Sequence, residues 1–214
     1  MPPKVLYFDI GHVLLSFSHQ VMCDQMAAVA GLTSEAVRDL IFGDEDARAA
    51  EWRYECGLMT TDEFFDFFCR ATNTRPDRRA LAEAVSDIFA PIDETWQLVR
   101  RLANEGRRLA MLSNTNPVQY ESISDGRFPV LANVGQPGSV FSWAVLSFEV
   151  KAMKPDAKIY EAAIQRAGVP AEEVFFVDDR PENVAGARVV GIDAVQFYSI
   201  EQLTDDLSKR GITA

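Results

Sequence analysis

Three apolar runs of this chain stop on polar residues. Val5-Leu6-Tyr7-Phe8 ends at Asp9, Leu109-Ala110-Met111-Leu112 ends at Ser113, and Val174-Phe175-Phe176-Val177 ends at Asp178-Asp179. Lys154 stands between the last two, in Met153-Lys154-Pro155-Asp156. A carboxylate apart from a carboxylate pair, together with a hydroxyl and an ammonium, suits a divalent cation beside a phosphoryl group. Phosphoryl transfer needs in-line attack and neutralisation of the equatorial oxygens. A carboxylate held by a metal can attack phosphorus and form an aspartyl-phosphate, which is the role expected of Asp9. Mg2+ takes an octahedron of oxygens and usually keeps several waters, so Asp9 and Asp179 suffice as carboxylate ligands. Ser113 and the Asn114 amide would donate to the phosphate oxygens, and Lys154 would add a full positive charge there.

Such a site exists only if distant segments meet. Short apolar runs read as buried strands of a parallel sheet, and these sheets bind ligands outside their carboxyl ends. From Pro91 onwards helical and strand patterns alternate. Asp93 to Glu105 reads as a helix, Pro117 opens another, Trp143 to Leu146 reads as a strand and Pro155 to Ala167 as a helix. Glu182 to Val190 (helix), Ala194 to Phe197 (strand) and a polar final helix follow. That alternation predicts an α/β fold, a doubly wound parallel sheet with helices on both faces. After Leu15 strand patterning stops, and His19 to Phe89 reads as helices only. Thr60-Thr61-Asp62-Glu63 is a capping box, and the helix it starts carries Phe64, Phe65, Phe67 and Phe68 as core of that block. The expected organisation is a core of residues 1–15 and 90–214 with an all-helical insertion, 16–89, placed to cover the strand ends. Asp125 to Ser139 is the one long candidate loop.

Composition is that of an ordinary globular protein. The 214 residues are 48% hydrophobic and 25% charged, with a formal charge of -11, which disfavours nucleic acid and anionic membranes as partners. With such a charge, an anionic substrate needs positive potential supplied by the site itself. Three cysteines (Cys23, Cys56, Cys69) lack the CxxC spacing of zinc or redox sites and read as thiols in a reducing compartment. With no signal pattern at Met-Pro-Pro-Lys and no membrane-length apolar stretch, the expected location is the cytoplasm.

Phe8-Asp9-Ile10-Gly11-His12-Val13-Leu14, Leu112-Ser113-Asn114, Lys154-Pro155-Asp156 and Val177-Asp178-Asp179 resemble the four ordered motifs of the haloacid dehalogenase-like hydrolases. The resemblance spans Asp9 to about Gly191, with the helical insertion where that superfamily places its cap. It is greatest with phosphatases of small phosphomonoesters, such as sugar phosphates. It implies Mg2+ as cofactor, the backbone carbonyl of Gly11 as a third protein ligand, and a supporting role for Asp178. It also implies that Trp52, Tyr54 and Gly57 lie where such caps often meet substrate. Gly11 departs from the pattern, because most of these phosphatases carry a second aspartate there to protonate the leaving oxygen. General acid-base catalysis is typically worth roughly a hundred- to ten-thousand-fold, so either turnover is slow or another residue supplies the proton. His12 is the candidate from sequence, as stand-in acid or as an orienting imidazole. Two other readings stay open: a metal-independent 2-haloacid dehalogenase, and a phosphometabolite-binding protein that lost turnover. A phosphoaspartate receiver is set aside, since its acidic pair comes first and it has no helical insertion.

Overall fold

The computed structural model describes residues 2–43 and 45–213. The chain enters β1 (Val5–Phe8), turns back through β2 (Leu15–Phe17) and runs through five helices: α1 (His19–Ala30), α2 (Ser34–Phe42), α3 (Glu45–Glu55), α4 (Thr61–Thr72) and α5 (Arg78–Ser86). It returns by β3 (Phe89–Pro91) and continues with α6 (Asp93–Asn104), β4 (Arg108–Ser113), α7 (Pro117–Ser124) and β5 (Trp143–Leu146). The rest is α8 (Ser147–Val150), α9 (Ala157–Ala167), β6 (Val174–Asp178), α10 (Pro181–Val189), β7 (Asp193–Gln196) and α11 (Ile200–Ser208), with a short 3-10 turn before β6.

Five strands form one parallel sheet in the order β5-β4-β1-β6-β7. The apolar runs hold because both faces are covered. Leu6 and Phe8 point to the side packed by Trp96, Leu98 and Leu102 of α6 and Leu203 and Leu207 of α11. Val5 and Tyr7 point to the side packed by Ile159, Tyr160 and Ala163 of α9 and Val184 and Ala187 of α10. Chain connections leave β1 towards β4 on one side and reach β6 on the other, so β1 sits at the topological switch point where ligands bind. The fold is α/β and doubly wound, as the alternation predicts.

Helices alone were expected across the insertion; the structure adds a two-stranded entry. Leu15–Phe17 pairs antiparallel with Phe89–Pro91, Leu15 opposite Pro91 and Phe17 opposite Phe89. The chain leaves and re-enters the core at one place, so these segments run side by side and satisfy each other's backbone groups. Three residues each are too few to show a period of two. Leu14 anchors the entry: its carbonyl accepts from Trp96 Nε1 at 2.8 Å and from Ile92 N–H at 3.1 Å. Within the insertion the capping box forms, with Thr60 N–H donating to Glu63 Oε2 at 2.8 Å. Phe64, Phe65 and Phe68 are buried in its core. The segment Asp125 to Ser139 contains neither helix nor strand, yet it buries Phe128, Val130 and Leu131 against the sheet.

One glycine sets how closely α10 approaches the segment carrying Lys154. A Cβ on Gly186 would lie 2.8 Å from the Pro155 carbonyl oxygen and 3.0 Å from Tyr160 Cε2. Gly186→Ala should therefore destabilise the protein by about 1–3 kcal/mol, the usual penalty of overpacking, despite alanine's better helix propensity. Urea denaturation measures this; a midpoint that rises would show that α10 relaxes without penalty.

Candidate active site

Register brings the polar strand ends together. Phe8 pairs with Val177 on one side and Met111 on the other, so Asp9 emerges beside Asp178 and next to the Leu112–Ser113 end of β4. Asp9 N–H donates to the Val177 carbonyl at 3.0 Å. Into this rim comes Lys154, which is 4% exposed. Its Nζ lies 2.9 Å from Asp9 Oδ1 and 2.6 Å from Asp178 Oδ2, and donates to the Leu112 carbonyl at 3.0 Å. Burial alone would depress the ammonium, but the two carboxylates outweigh it and hold Lys154 above its ordinary pKa. Asp9 is pushed up to about 7, chiefly by desolvation and also by Asp178, against the pull of Lys154. Asp179 is raised as well, by burial and by Asp178.

The remaining predicted residues divide by task. Asn114 clamps the Lys154 backbone: Nδ2 donates to the Lys154 carbonyl at 3.0 Å, and Lys154 N–H donates to Oδ1 at 2.8 Å. Ser113 is buried at the end of β4, its hydroxyl on the Asn114 carbonyl at 3.3 Å. Asp178 is fully buried, and both its oxygens are engaged. Oδ1 accepts from Arg180 N–H at 2.9 Å and from Asn183 Nδ2 at 3.0 Å, while Oδ2 takes Lys154. Asp9 Oδ1 accepts from Ile10 N–H at 2.7 Å besides facing Lys154, which leaves Oδ2 to meet a ligand. The carboxylates of Asp9, Asp178 and Asp179 have oxygens within 4.8 Å of one another. Gly11 and His12 line the same cavity, and His12 adopts φ 53 and stacks on Phe17 with ring centroids 4.4 Å apart.

The insertion closes over this rim. A cavity of about 460 Å³ is bounded by Asp9, Gly11, His12, Lys154 and Asp179 from the core and by Glu51 and Glu55 from α3. It continues into a narrower pocket of about 90 Å³ between Ser113 and Asn114 on one side and Met22, Tyr54, Phe64 and Phe89 on the other. Of the three insertion residues singled out from sequence, half-exposed Trp52 lines the cavity and buried Tyr54 lines the pocket. Gly57 does neither. It has φ +61, and a Cβ there would meet the Phe148 carbonyl at 2.1 Å, so it is the point at which the insertion rests on α8. Sequence reading missed Glu51 and Glu55, which share a helix face at a spacing of four. Desolvation and Glu55 push Glu51 up to about 8; desolvation pushes Glu55 up to about 7 against Arg180. Asn183 and Ser147 were also missed. Ser147 Oγ donates to the Glu55 carbonyl at 2.7 Å and accepts from Thr115 N–H at 3.0 Å, tying α3 to the loop after Ser113.

Fold and site together define a hydrolase class. The family model for haloacid dehalogenase-like hydrolases matches residues 4–191, and the chain belongs to that family. It is 27% identical over 160 residues to flavin mononucleotide hydrolase 1 of Arabidopsis thaliana, an alignment covering 74% of this chain and 61% of that protein. It is 28% identical over 142 residues to an (S)-2-haloacid dehalogenase of Pseudomonas sp. strain YL, covering 65% and 57%. The chain thus spans less than two thirds of either curated relative. A HAD-like hydrolase from Porphyromonas gingivalis superposes with a TM-score of 0.79 at 22% identity, over 98% of both chains. The magnesium complex of a HAD family enzyme from Bacteroides thetaiotaomicron gives a TM-score of 0.76 at 23% identity, over 92% of this chain and 94% of that one. No helix among the described residues is long and apolar enough to cross a membrane.

The shared ammonium makes a stability prediction. Lys154→Met would leave Asp9 and Asp178 buried against each other with no cation between them. Removing one partner of a buried ion pair costs about 3–5 kcal/mol, and a loss of that order is expected in denaturant melts at neutral pH. An unchanged midpoint would show that water, and not Lys154, compensates the two carboxylates.

Proposed function

We propose that the protein is a Mg2+-dependent phosphatase that hydrolyses a small phosphomonoester through an aspartyl-phosphate on Asp9. The observation carrying this reading is the charge balance at the rim. Three carboxylates share one ammonium, which leaves two negative charges when all are ionised. A phosphate dianion could not approach such a site unless a divalent cation offset that excess. The donor set fits one: hard oxygen ligands suit Mg2+, and Asp178 is fully occupied by Lys154, Arg180 and Asn183, so Asp9, Asp179 and the Gly11 carbonyl would hold it. When bound, it would neutralise charge on the phosphoryl oxygens and on the attacking carboxylate.

The chain's own residues supply the rest. Asp9, oriented by Ile10 N–H and Lys154, attacks phosphorus in line, the bond to the leaving oxygen breaks, and the phosphoryl group passes to Asp9. Lys154 and the Ser113 hydroxyl stabilise the phosphoryl oxygens. Water then attacks the aspartyl-phosphate and frees inorganic phosphate. The apolar pocket beside Ser113 supports a leaving alcohol with an apolar face. Similarity to a flavin mononucleotide hydrolase supports phosphomonoester chemistry; similarity to (S)-2-haloacid dehalogenases, together with glycine at position 11, keeps a dehalogenase as the second reading.

A panel of phosphomonoesters assayed with Mg2+ and with chelator tests the proposal. Phosphate release abolished by chelation is expected; chloride release from a 2-haloacid without metal would establish the second reading, and binding without turnover would leave a phosphometabolite-binding protein. Asp9→Asn, nearly isosteric, should fold normally and form no phosphoryl-enzyme. Asp179→Ala should weaken metal affinity so that excess Mg2+ recovers part of the rate. Near-normal hydrolysis by the Asp9 variant would rule out the covalent mechanism.

A further inference from the structure

We propose that Glu55, on the helical insertion, is the general acid and base that position 11 lacks. The inference rests on the phosphatase reading above. In-line transfer places the leaving oxygen on the side of phosphorus opposite the nucleophile. Asp9 lies on the sheet rim, so the leaving oxygen faces the insertion, and a proton donor for it has to come from that side.

A donor at position 11 would have to displace Phe17. A Cβ there would lie 2.9 Å from Phe17 Cε1, and the Phe17 ring is held between His12 and His19 and against Phe89. His12 borders only the wider cavity, near Asp179, and not the pocket into which the leaving group would extend. Glu55 borders both spaces, as do Glu51 and His19, but of these Glu55 has its backbone tied to the core beside Ser113. Its backbone is fixed to the core by Ser147, which also holds Thr115 two residues beyond Ser113. Glu55 and Arg180, the residue after Asp179, border the same cavity, and the Arg180 charge acts on the Glu55 carboxyl. The other ionisable groups bordering the cavity are Glu51 on the same helix, His19 at the start of α1, and His12, Asp9, Lys154, Asp179 and Arg180 of the core. Burial raises the Glu55 carboxyl to about 7, the range in which one group can both give and take a proton near neutrality.

The step balances. As the Asp9 oxygen bonds to phosphorus and the ester P–O bond breaks, the Glu55 carboxyl passes its proton to the departing alkoxide. The resulting carboxylate then removes a proton from the water that attacks the aspartyl-phosphate. The P–O bond to Asp9 breaks, phosphate leaves, and Glu55 is protonated again.

Leaving-group dependence tests this. With Mg2+ present, Glu55→Gln should slow alkyl phosphates by about a hundred- to ten-thousand-fold while attack on 4-nitrophenyl phosphate changes little, because the departing 4-nitrophenolate is stable without a proton. Dephosphorylation should slow for both, so phosphoryl-Asp9 should accumulate on 4-nitrophenyl phosphate and be visible by intact-protein mass spectrometry. Glu55→Asp should retain part of the alkyl rate, and Glu51→Gln should show no such split. Equal slowing of alkyl and aryl substrates without accumulation, or no slowing, would overturn the role of Glu55 while leaving the phosphatase reading intact. A wild-type protein that releases no phosphate and forms no phosphoryl-enzyme would overturn both.

Discussion

Everything at the rim is arranged around one buried ammonium. Removing an ion from water is expensive, and attraction to a partner repays that cost only when geometry and further hydrogen bonds are good. Lys154 meets those terms with two carboxylates and the Leu112 carbonyl, while Asn114 grips its backbone on both edges. Asp178 in turn is held by Asn183, whose own carbonyl accepts from Tyr160 at 2.7 Å. The chain of contacts therefore runs from β4 through Lys154 to β6, α10 and α9. It fixes the position of the Asp9 carboxylate without binding both of its oxygens. In the mechanism proposed above, a carboxylate pinned on one side and open on the other is preorganised for attack, since little reorganisation remains.

The insertion brings a different kind of chemistry. The core supplies charge in a hydrogen-bonded frame; α3 supplies two carboxyls beside an aromatic wall. Both environments raise the carboxyls they hold, Asp9 to about 7 and Glu55 to about 7. At Asp9 Lys154 opposes the rise; at Glu51 and Glu55 desolvation leads, opposed at Glu55 by Arg180. The two groups of carboxyls lie on either side of the division between sheet and insertion. The hydrogen bonds from Ser147 and the close approach at Gly57 keep the two in register.

Much of this was legible in the sequence for one physical reason. Strands buried on both faces must be apolar throughout, so the first polar residue marks the carboxyl end where a ligand can sit. Asp9, Ser113 and Asp178-Asp179 were readable on that ground, and so was the alternation that gives the doubly wound sheet. What escaped depended on contacts between distant segments. The pairing of Leu15–Phe17 with Phe89–Pro91 is too short for periodicity, and Pro91 argues against a strand on its own. Glu51 and Glu55 sit on a helix rich in Glu and Arg that reads as a solvated face. Phe128 and Leu131 lie in a glycine- and proline-rich segment, where nothing local says that they turn inward. Asp178 was placed as a supporting residue; that it holds Lys154 with both oxygens engaged is set by the three-dimensional meeting of β6 with the Lys154 segment.

The absence of an acid at position 11 takes on a different meaning once Phe17 is in view. Attack by a buried aspartate is common to dehalogenation and to phosphoryl transfer; the two differ in what must leave. A halide departs as a stable anion and asks for no proton, so an apolar ring beside the nucleophile suits it. An alkoxide does ask for one, and the phosphoryl oxygens also need positive charge. Phe17 over Gly11 alone would therefore fit either chemistry. The phosphatase reading proposed above rests on the neighbouring groups. Asp179 adds a carboxylate beside Asp9 and Asp178, where it would raise the cost of an ionised nucleophile unless a cation joined them. The side facing the leaving group carries Glu55, a carboxyl whose burial keeps it near the point of giving up its proton. Both features are of use when a phosphate ester is cleaved, and neither helps a halide to leave.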